Sequence, residues 1–243
     1  RAGSKNNLID NTTIKNASTG IIIDSLENNN PTLTIKNSQI FNSSNFGILG
    51  RETNIYGENL VINNSGQSSL ACTVGGTYNF VHATFANFWN QSLRQYPSVL
   101  INNYFTYIKD GAEVIEPRNL QAANFTNCII DGNNNIELIL DKAEGANFNY
   151  AFKNNLLRFN DFNQTYAGIT EYNFEDTNFY LNNILNGNAD FKNPNNNELI
   201  VGENSDGIQN AEETASQLVP YDILGILRSS PADIGAYQHI NFN

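Results

Sequence analysis

Histidine is the side chain best suited to proton transfer near neutral pH, and this chain has two, His82 and His239. His82 lies in the segment FVHATFAN (residues 80–87), where a histidine, a threonine and aromatic residues stand close together. His239 has no partner that the sequence reveals. His82 is therefore the first candidate for acid–base chemistry.

The same segment is one copy of an eight-residue pattern, and this repetition predicts a structural role for its histidine. Apolar residues stand at the first and sixth positions, and residues suited to turns at the third and eighth. The copies recur at roughly 20 to 27 residues, a period typical of solenoids. Clear copies begin at Ile9, Ile35, Phe80 and Phe125, and weaker ones at Ile55, Ile101, Phe152 and Phe179.

The turn positions predict how these copies stack. Asparagine tolerates the left-handed backbone that a sharp bend requires, and asparagines stacked in successive coils can join their side-chain amides. The predicted ladder consists of Asn11, Asn37, His82, Asn103, Asn127 and Asn154. Recurrent Asn, Gly, β-branched and aromatic residues disfavour a helical solenoid. The sequence thus predicts an all-β, parallel β-coil of about eight rungs (single turns of the coil) over residues 1–188, with residues 189–243 as a C-terminal cap of the same domain.

The charge and hydrophobicity of the chain argue against nucleic acid as a partner and against a membrane span. The net charge of −11 leaves no basic patch for nucleic acid, and no run is apolar enough to span a bilayer. Cys72 and Cys128 are too few for a disulfide scaffold, and two buried free thiols are expected. A coil that begins close to Arg1 without a cap suggests the C-terminal part of a longer polypeptide, with an N-terminal part missing.

The outward positions of the coil allow a test for catalysis. Hydrolysis or elimination on such a surface needs clustered carboxylates or calcium-binding acids, and none stack in the predicted outward columns. Outward positions on neighbouring rungs instead predict a patch of aromatic, apolar and charged side chains, which could bind sugar rings or a partner protein. Its members are Phe105, Tyr107, Ile129, Asp131, Leu156 and Arg158. The alternative is that an insertion, residues 133–150 or 160–178, folds over it.

A second candidate surface is the loop that carries Trp89, Arg94 and Tyr96, for which simple anchoring of the loop is the alternative. Residues 202–213 match a calcium loop at several positions, but Gly202 stands where the first ligand belongs. No metal or cofactor is therefore expected. Asp24-Ser25-Leu26 is similar to an O-glycosylation triplet of secreted Bacteroidota proteins.

Several stretches resemble a known family. They are GGTYNFVHATFANFW (residues 75–89) with Arg94 and Pro97-Ser98, the run FKNP (residues 191–194), DILG (residues 222–225) with Arg228, and the ending PADIGAYQ (residues 231–238). They look like the right-handed parallel β-helix proteins of the pectin-lyase-like superfamily, in particular secreted or surface lipoproteins of Bacteroidota. The resemblance implies a right-handed coil and a place outside the cell or on the outer-membrane surface, with membrane contact only through an anchor outside this chain.

Together these patterns predict a non-catalytic module that binds a glycan or a surface protein partner. One alternative is a polysaccharide lyase or glycoside hydrolase with its catalytic groups on loops or on the missing N-terminal part. Another is a structural accessory subunit of an outer-membrane assembly.

Overall fold

The computed structural model describes residues 4–24 and 31–242, so Ser25 and Leu26 of the predicted glycosylation triplet lie outside the described residues. The fold is all-β, with 47% strand and 5% helix. The strands are β1 Asn7–Asp10, β2 Thr13–Lys15, β3 Ile21–Asp24, β4 Leu33–Ser43, β5 Ile48–Ser65, β6 Leu70–Val81, β7 Thr84–Asn87, β8 Val99–Asn102, β9 Tyr104–Lys109, β10 Ala112–Pro117, β11 Leu120–Thr126, β12 Ile129–Gly132, β13 Leu138–Asp141, β14 Ala151–Lys153, β15 Leu156–Leu157, β16 Tyr180–Leu181, β17 Ile184–Leu185, β18 Phe191–Asn193 and β19 Glu198–Val201.

The helical elements are short. One α-helix, α1, spans Glu213–Leu218, and 3₁₀ turns span Thr170–Tyr172 and Pro194–Asn196. Within the described ranges, no helix is long and apolar enough to cross a membrane.

Most strands join one large, parallel, strongly curled sheet, as the alternating pattern predicts. Three ladders of paired residues run through it. The first aligns Ile9, Ile35, Gly57, Phe80, Phe125, Phe152 and Tyr180. The second aligns Thr13, Gln39, Val61, Thr84, Ile129, Leu156 and Ile184. The third aligns Ile21, Ile48, Leu70, Val99 and Leu138.

Left-handed residues separate the first ladder from the second. They are Asn11, Asn37, Asn59, His82, Asn127, Asn154 and Asn182, with φ between 46° and 57°. Asparagine recurs there because its short polar side chain adopts this conformation at little cost. His82 takes the same bend as its asparagine neighbours, and Asn127 Nδ2 lies 3.0 Å from its Nε2.

The predicted copy of the repeat that begins at Ile101 is wrong. Ile101 pairs with Cys72 in the third ladder, and Phe80 pairs directly with Phe125, so no rung lies between them. Asn103 is not a left-handed ladder residue, and its amide instead bonds both backbone groups of Ala143. The error arose because strands of every ladder alternate apolar and polar residues in the same way.

Two weaker copies are shifted in register. The first-ladder position assigned to Ile55 belongs to Gly57, and the position assigned to Phe179 belongs to Tyr180. Phenylalanine rings fill the interior beside them: the Phe125 and Phe152 rings stack with centroids 5.0 Å apart.

The C-terminal segment lies along the outer face of the second ladder. Leu199, Ala236 and Tyr237 pack against Phe41, Val61 and Ala86. Val201 and Ile234 pack against Ile129 and Leu156 in a neighbouring cluster. The apolar residues on the outer face of the second ladder therefore bind the C-terminal segment.

Candidate functional site

The predicted patch over residues 105–158 does not exist as one surface. Phe105 and Tyr107 lie on β9, which forms an antiparallel hairpin with β10 outside the large sheet. Asp131 and Arg158 stay together, with 3.6 Å between Oδ1 and Nη1, but Asp131 is only 8% exposed. Burial raises the pKa of this carboxyl, against the effect of the Gly132 amide and of Arg158. The two halves of the patch are thus separate.

The remaining two residues of the predicted patch are covered by other parts of the protein. Ile129 and Leu156 are fully buried beneath Val201 and Ile234 of the C-terminal segment. The predicted alternative named insertions 133–150 and 160–178 as the cover, whereas these two residues are covered by the C-terminal segment. On the hairpin, the Arg118 guanidinium stands 5.0 Å from the centre of the Phe105 ring, and Tyr107 is 38% exposed.

Arg94 anchors its loop and is not available to a ligand. Its two terminal nitrogens bind the Glu137 carboxylate, and both side chains are almost fully buried. The same nitrogens donate to the carbonyls of Asn87 and Tyr96, at 3.0 Å and 2.6 Å. Burial raises the pKa of the Glu137 carboxyl, while the charge of Arg94 and the amides of Asn134 and Ser98 act in the opposite direction. The loop of residues 88–98 is therefore fixed from beneath.

His82 is also a structural residue. It is fully buried, and its Nδ1 lies 3.2 Å from the Gly235 carbonyl, which can only accept, so Nδ1 carries the proton. Its Nε2 lies 2.9 Å from Ser216 Oγ on α1, and that oxygen lies 2.9 Å from the Glu212 carbonyl. Burial, with a contribution from the charge of Arg228, lowers the pKa of His82 well below its usual value. A neutral imidazole thus ties the C-terminal segment to the sheet.

Trp89 differs from Arg94 because it lines a groove. The groove has a volume of about 680 Å³ and is bounded by asparagine, glutamine and serine side chains together with this indole. Its lining residues are Asn16, Ala17, Ser18, Asn42, Ser44, Asn64, Trp89, Asn90, Gln91, Asn195, Asn196 and Asn197, and we call it the amide groove. Tyr96, in the same loop, is 44% exposed but does not line it.

The floor of the amide groove comes from the bends that follow the second ladder. Asn16, Asn42 and Asn64 occupy equivalent bends of successive strands and have φ of 60°, 58° and 55°. Asn42 Nδ2 donates to Asn16 Oδ1 at 3.2 Å. These side chains are held by the sheet, so the groove is preformed.

The opposite wall is a 3₁₀ turn of the C-terminal segment. Asn197, itself left-handed with φ 63°, donates to Asn42 Oδ1 at 3.1 Å and accepts from Asn64 Nδ2 at 2.8 Å. Asn63 fastens the turn by donating to the Pro194 carbonyl at 2.7 Å. The amides thus form a connected network across the groove.

Trp89 closes the groove at its other end. Its Nε1 donates to Ser92 Oγ at 2.9 Å, and its Cζ2 would lie 3.4 Å from a Cβ built on Gly66. The indole therefore rests against the bend at Gly66, held at one edge by a hydrogen bond. The sequence identified Trp89 but not its surroundings. The sequence feature that could have indicated the groove was the eighth position of the repeat, where Asn16 and Asn42 stand.

No metal centre accompanies the groove. In the part of the chain that the structure describes, no group of three or more His, Cys, Asp or Glu side chains is arranged to hold a metal ion. In the calcium-like loop, the Asp206 carboxylate accepts from the Asn188 amide at 2.6 Å, an interaction within the protein.

Comparisons of the chain with known protein families, with curated proteins and with solved structures found no match.

Proposed function

We propose that this protein is a right-handed parallel β-helix whose amide groove binds a glycan without cleaving it. The observation that supports this most directly is the composition of the groove: one indole beside many amides and hydroxyls. The parallel, curled sheet and the stacked asparagine bends support the β-helix, and the family resemblance supports a right-handed coil. It likewise supports a place outside the cell or on the outer-membrane surface, with any membrane anchor outside this chain.

The chemistry of the lining suits a sugar. Each asparagine or glutamine amide offers both donors and an acceptor, as a ring of hydroxyl groups requires. The apolar face of a sugar ring can stack on the flat indole of Trp89, which lines the groove and is fixed through Ser92. A site of this kind recognises hydroxyl patterns and needs little rearrangement to do so.

Binding without turnover follows from the same lining. Glycoside hydrolysis commonly uses two carboxyl groups across the scissile bond, and elimination needs a base. Among the described residues that line the amide groove there is no Asp, Glu, His, Lys or Arg. The groove therefore lacks groups that could transfer a proton to a bound sugar.

A glycan array followed by titration calorimetry tests the proposal. Trp89→Ala should weaken binding of the array's best glycan about tenfold, equal to about 1.4 kcal/mol. Tyr96→Ala is the matched control, because this aromatic residue is exposed on the same loop outside the groove. The proposal fails if no glycan binds, if Trp89→Ala binds like the wild type, or if shortened products accumulate.

A further inference from the structure

The amide groove also carries information about which glycan it takes. Resting on the proposed function, we infer that the groove selects a neutral, extended oligosaccharide that lies along the stacking direction of the strands, with one sugar for each strand. Charge, spacing and unused hydrogen-bonding capacity each support this.

Charge decides between neutral and acidic glycans. No Lys or Arg stands among the described lining residues, so a carboxylated sugar would find no positive partner. The chain carries a net charge of −11, which disfavours the approach of a polyanion at low salt. A uronic acid polymer would therefore lose solvation and gain no ion pair in return.

Spacing decides between a single sugar and a chain. Asn16, Asn42 and Asn64 stand on neighbouring strands, which lie about 4.8 Å apart, and Trp89 follows the next strand along. The four positions thus extend over about 14 Å. One strand spacing is close to the length that a sugar adds to an extended chain. Successive sugars can therefore meet equivalent amides.

The amides keep capacity for a ligand. Asn42 uses one N–H towards Asn16 and accepts from Asn197, which leaves its second N–H unused among the described contacts. Asn64 likewise donates once, to Asn197. Each step of the floor can therefore offer a donor while the network keeps the side chain in place.

Titration calorimetry with two oligosaccharide series tests the inference. The neutral probes are cello-oligosaccharides and galacto-oligosaccharides of one to six units, and the acidic probes are oligogalacturonides of the same lengths. For the neutral series that binds, affinity should rise with length and level off at about four units. The acidic series should bind at least tenfold more weakly at low salt.

A variant at the far end of the floor tests the alignment. Asn16→Gly keeps the left-handed bend, since glycine adopts positive φ freely, but removes one amide. It should weaken binding of the four-unit probe severalfold and leave the two-unit probe nearly unchanged. Asn11→Gly is the control, because Asn11 has φ 50° in the adjacent bend of the same pass but does not line the groove.

The outcomes separate the two proposals. Tighter binding of oligogalacturonides, or equal affinity for one and four units, overturns this inference while glycan binding stands. Equal losses in Asn16→Gly and Asn11→Gly overturn the alignment alone. If neither these probes nor any glycan on the array binds, the proposed function falls and the inference with it.

Discussion

The ring of Phe80 occupies the space that a side chain at Gly57 would need. The two residues are paired in the first ladder, and a Cβ built on Gly57 would lie 2.7 Å from Phe80 Cδ1. Neighbouring positions of this ladder hold Ile35 and Phe125. The missing side chain at Gly57 thus makes room for the Phe80 ring on the next strand.

Gly57→Val should destabilise the protein. Overpacking a filled interior forces side chains or backbone to move and costs about 1 to 3 kcal/mol. Urea unfolding measures the loss. Gly57→Val combined with Phe80→Leu should be less destabilised than the two separate losses predict, because the smaller side chain vacates the contested space. Simple additivity would show that the two residues do not compete for it.

Arg94→Met should cost about 3 to 5 kcal/mol, because it leaves the buried Glu137 carboxylate without its charge partner. Glu137→Gln should also be destabilising, because it leaves the buried Arg94 without its charge partner. The Ser98 and Asn134 amides donate to different oxygens of the carboxylate, at 2.7 Å and 2.8 Å, and the NH2 group of glutamine cannot accept from either of them. The double variant should be less destabilised than the sum of the two losses. Denaturant unfolding of all four proteins completes the cycle. Additive losses would contradict the pairing.

The sequence predicted the all-β class and the parallel strands because bend asparagines and apolar alternation are local properties of the chain. It also aligned His82 with the asparagines of the bends. It failed at Ile101, where a strand of the third ladder carries the same alternation as a strand of the first.

The predicted patch failed for a different reason. Whether the patch is exposed depends on residues 189–242, which are distant in sequence from Ile129 and Leu156 but cover both. The amide groove depends on the same kind of contact, between Asn64 and Asn197, 133 residues apart. Periodicity indicates which side chains point outward from a strand, but it does not reveal what packs upon them.

Tyr107→Ala should leave glycan binding unchanged. Tyr107 lies on the β9–β10 hairpin outside the large sheet and does not line the amide groove. Its removal should alter the free energy of unfolding by less than about 0.5 kcal/mol, because it is an exposed residue. Titration calorimetry beside Trp89→Ala compares the two aromatics directly. A loss of affinity in Tyr107→Ala would place part of the glycan site on the hairpin.

Stability should fall on acidification in a way that depends on His82. Burial keeps the pKa of the folded imidazole well below 6.5, whereas the unfolded chain binds a proton near that pH. Below pH 6.5 the unfolded state therefore holds more protons, and the stabilising contribution of neutral His82 is lost as the pH falls towards the folded pKa. The slope approaches about 1.4 kcal/mol for each pH unit.

Unfolding in urea at pH values between 7.5 and 5 measures this dependence. His82→Asn is the appropriate comparison, since asparagine occupies the equivalent bend at Asn127 and carries no titrating group in this range. The other groups, including His239 beside Asp233 and the buried carboxyls of Asp131 and Glu137, remain in both proteins. The stability of the wild type relative to the variant should decline below pH 6.5. A difference that stays constant across the range would show that His82 is not buried in its neutral form.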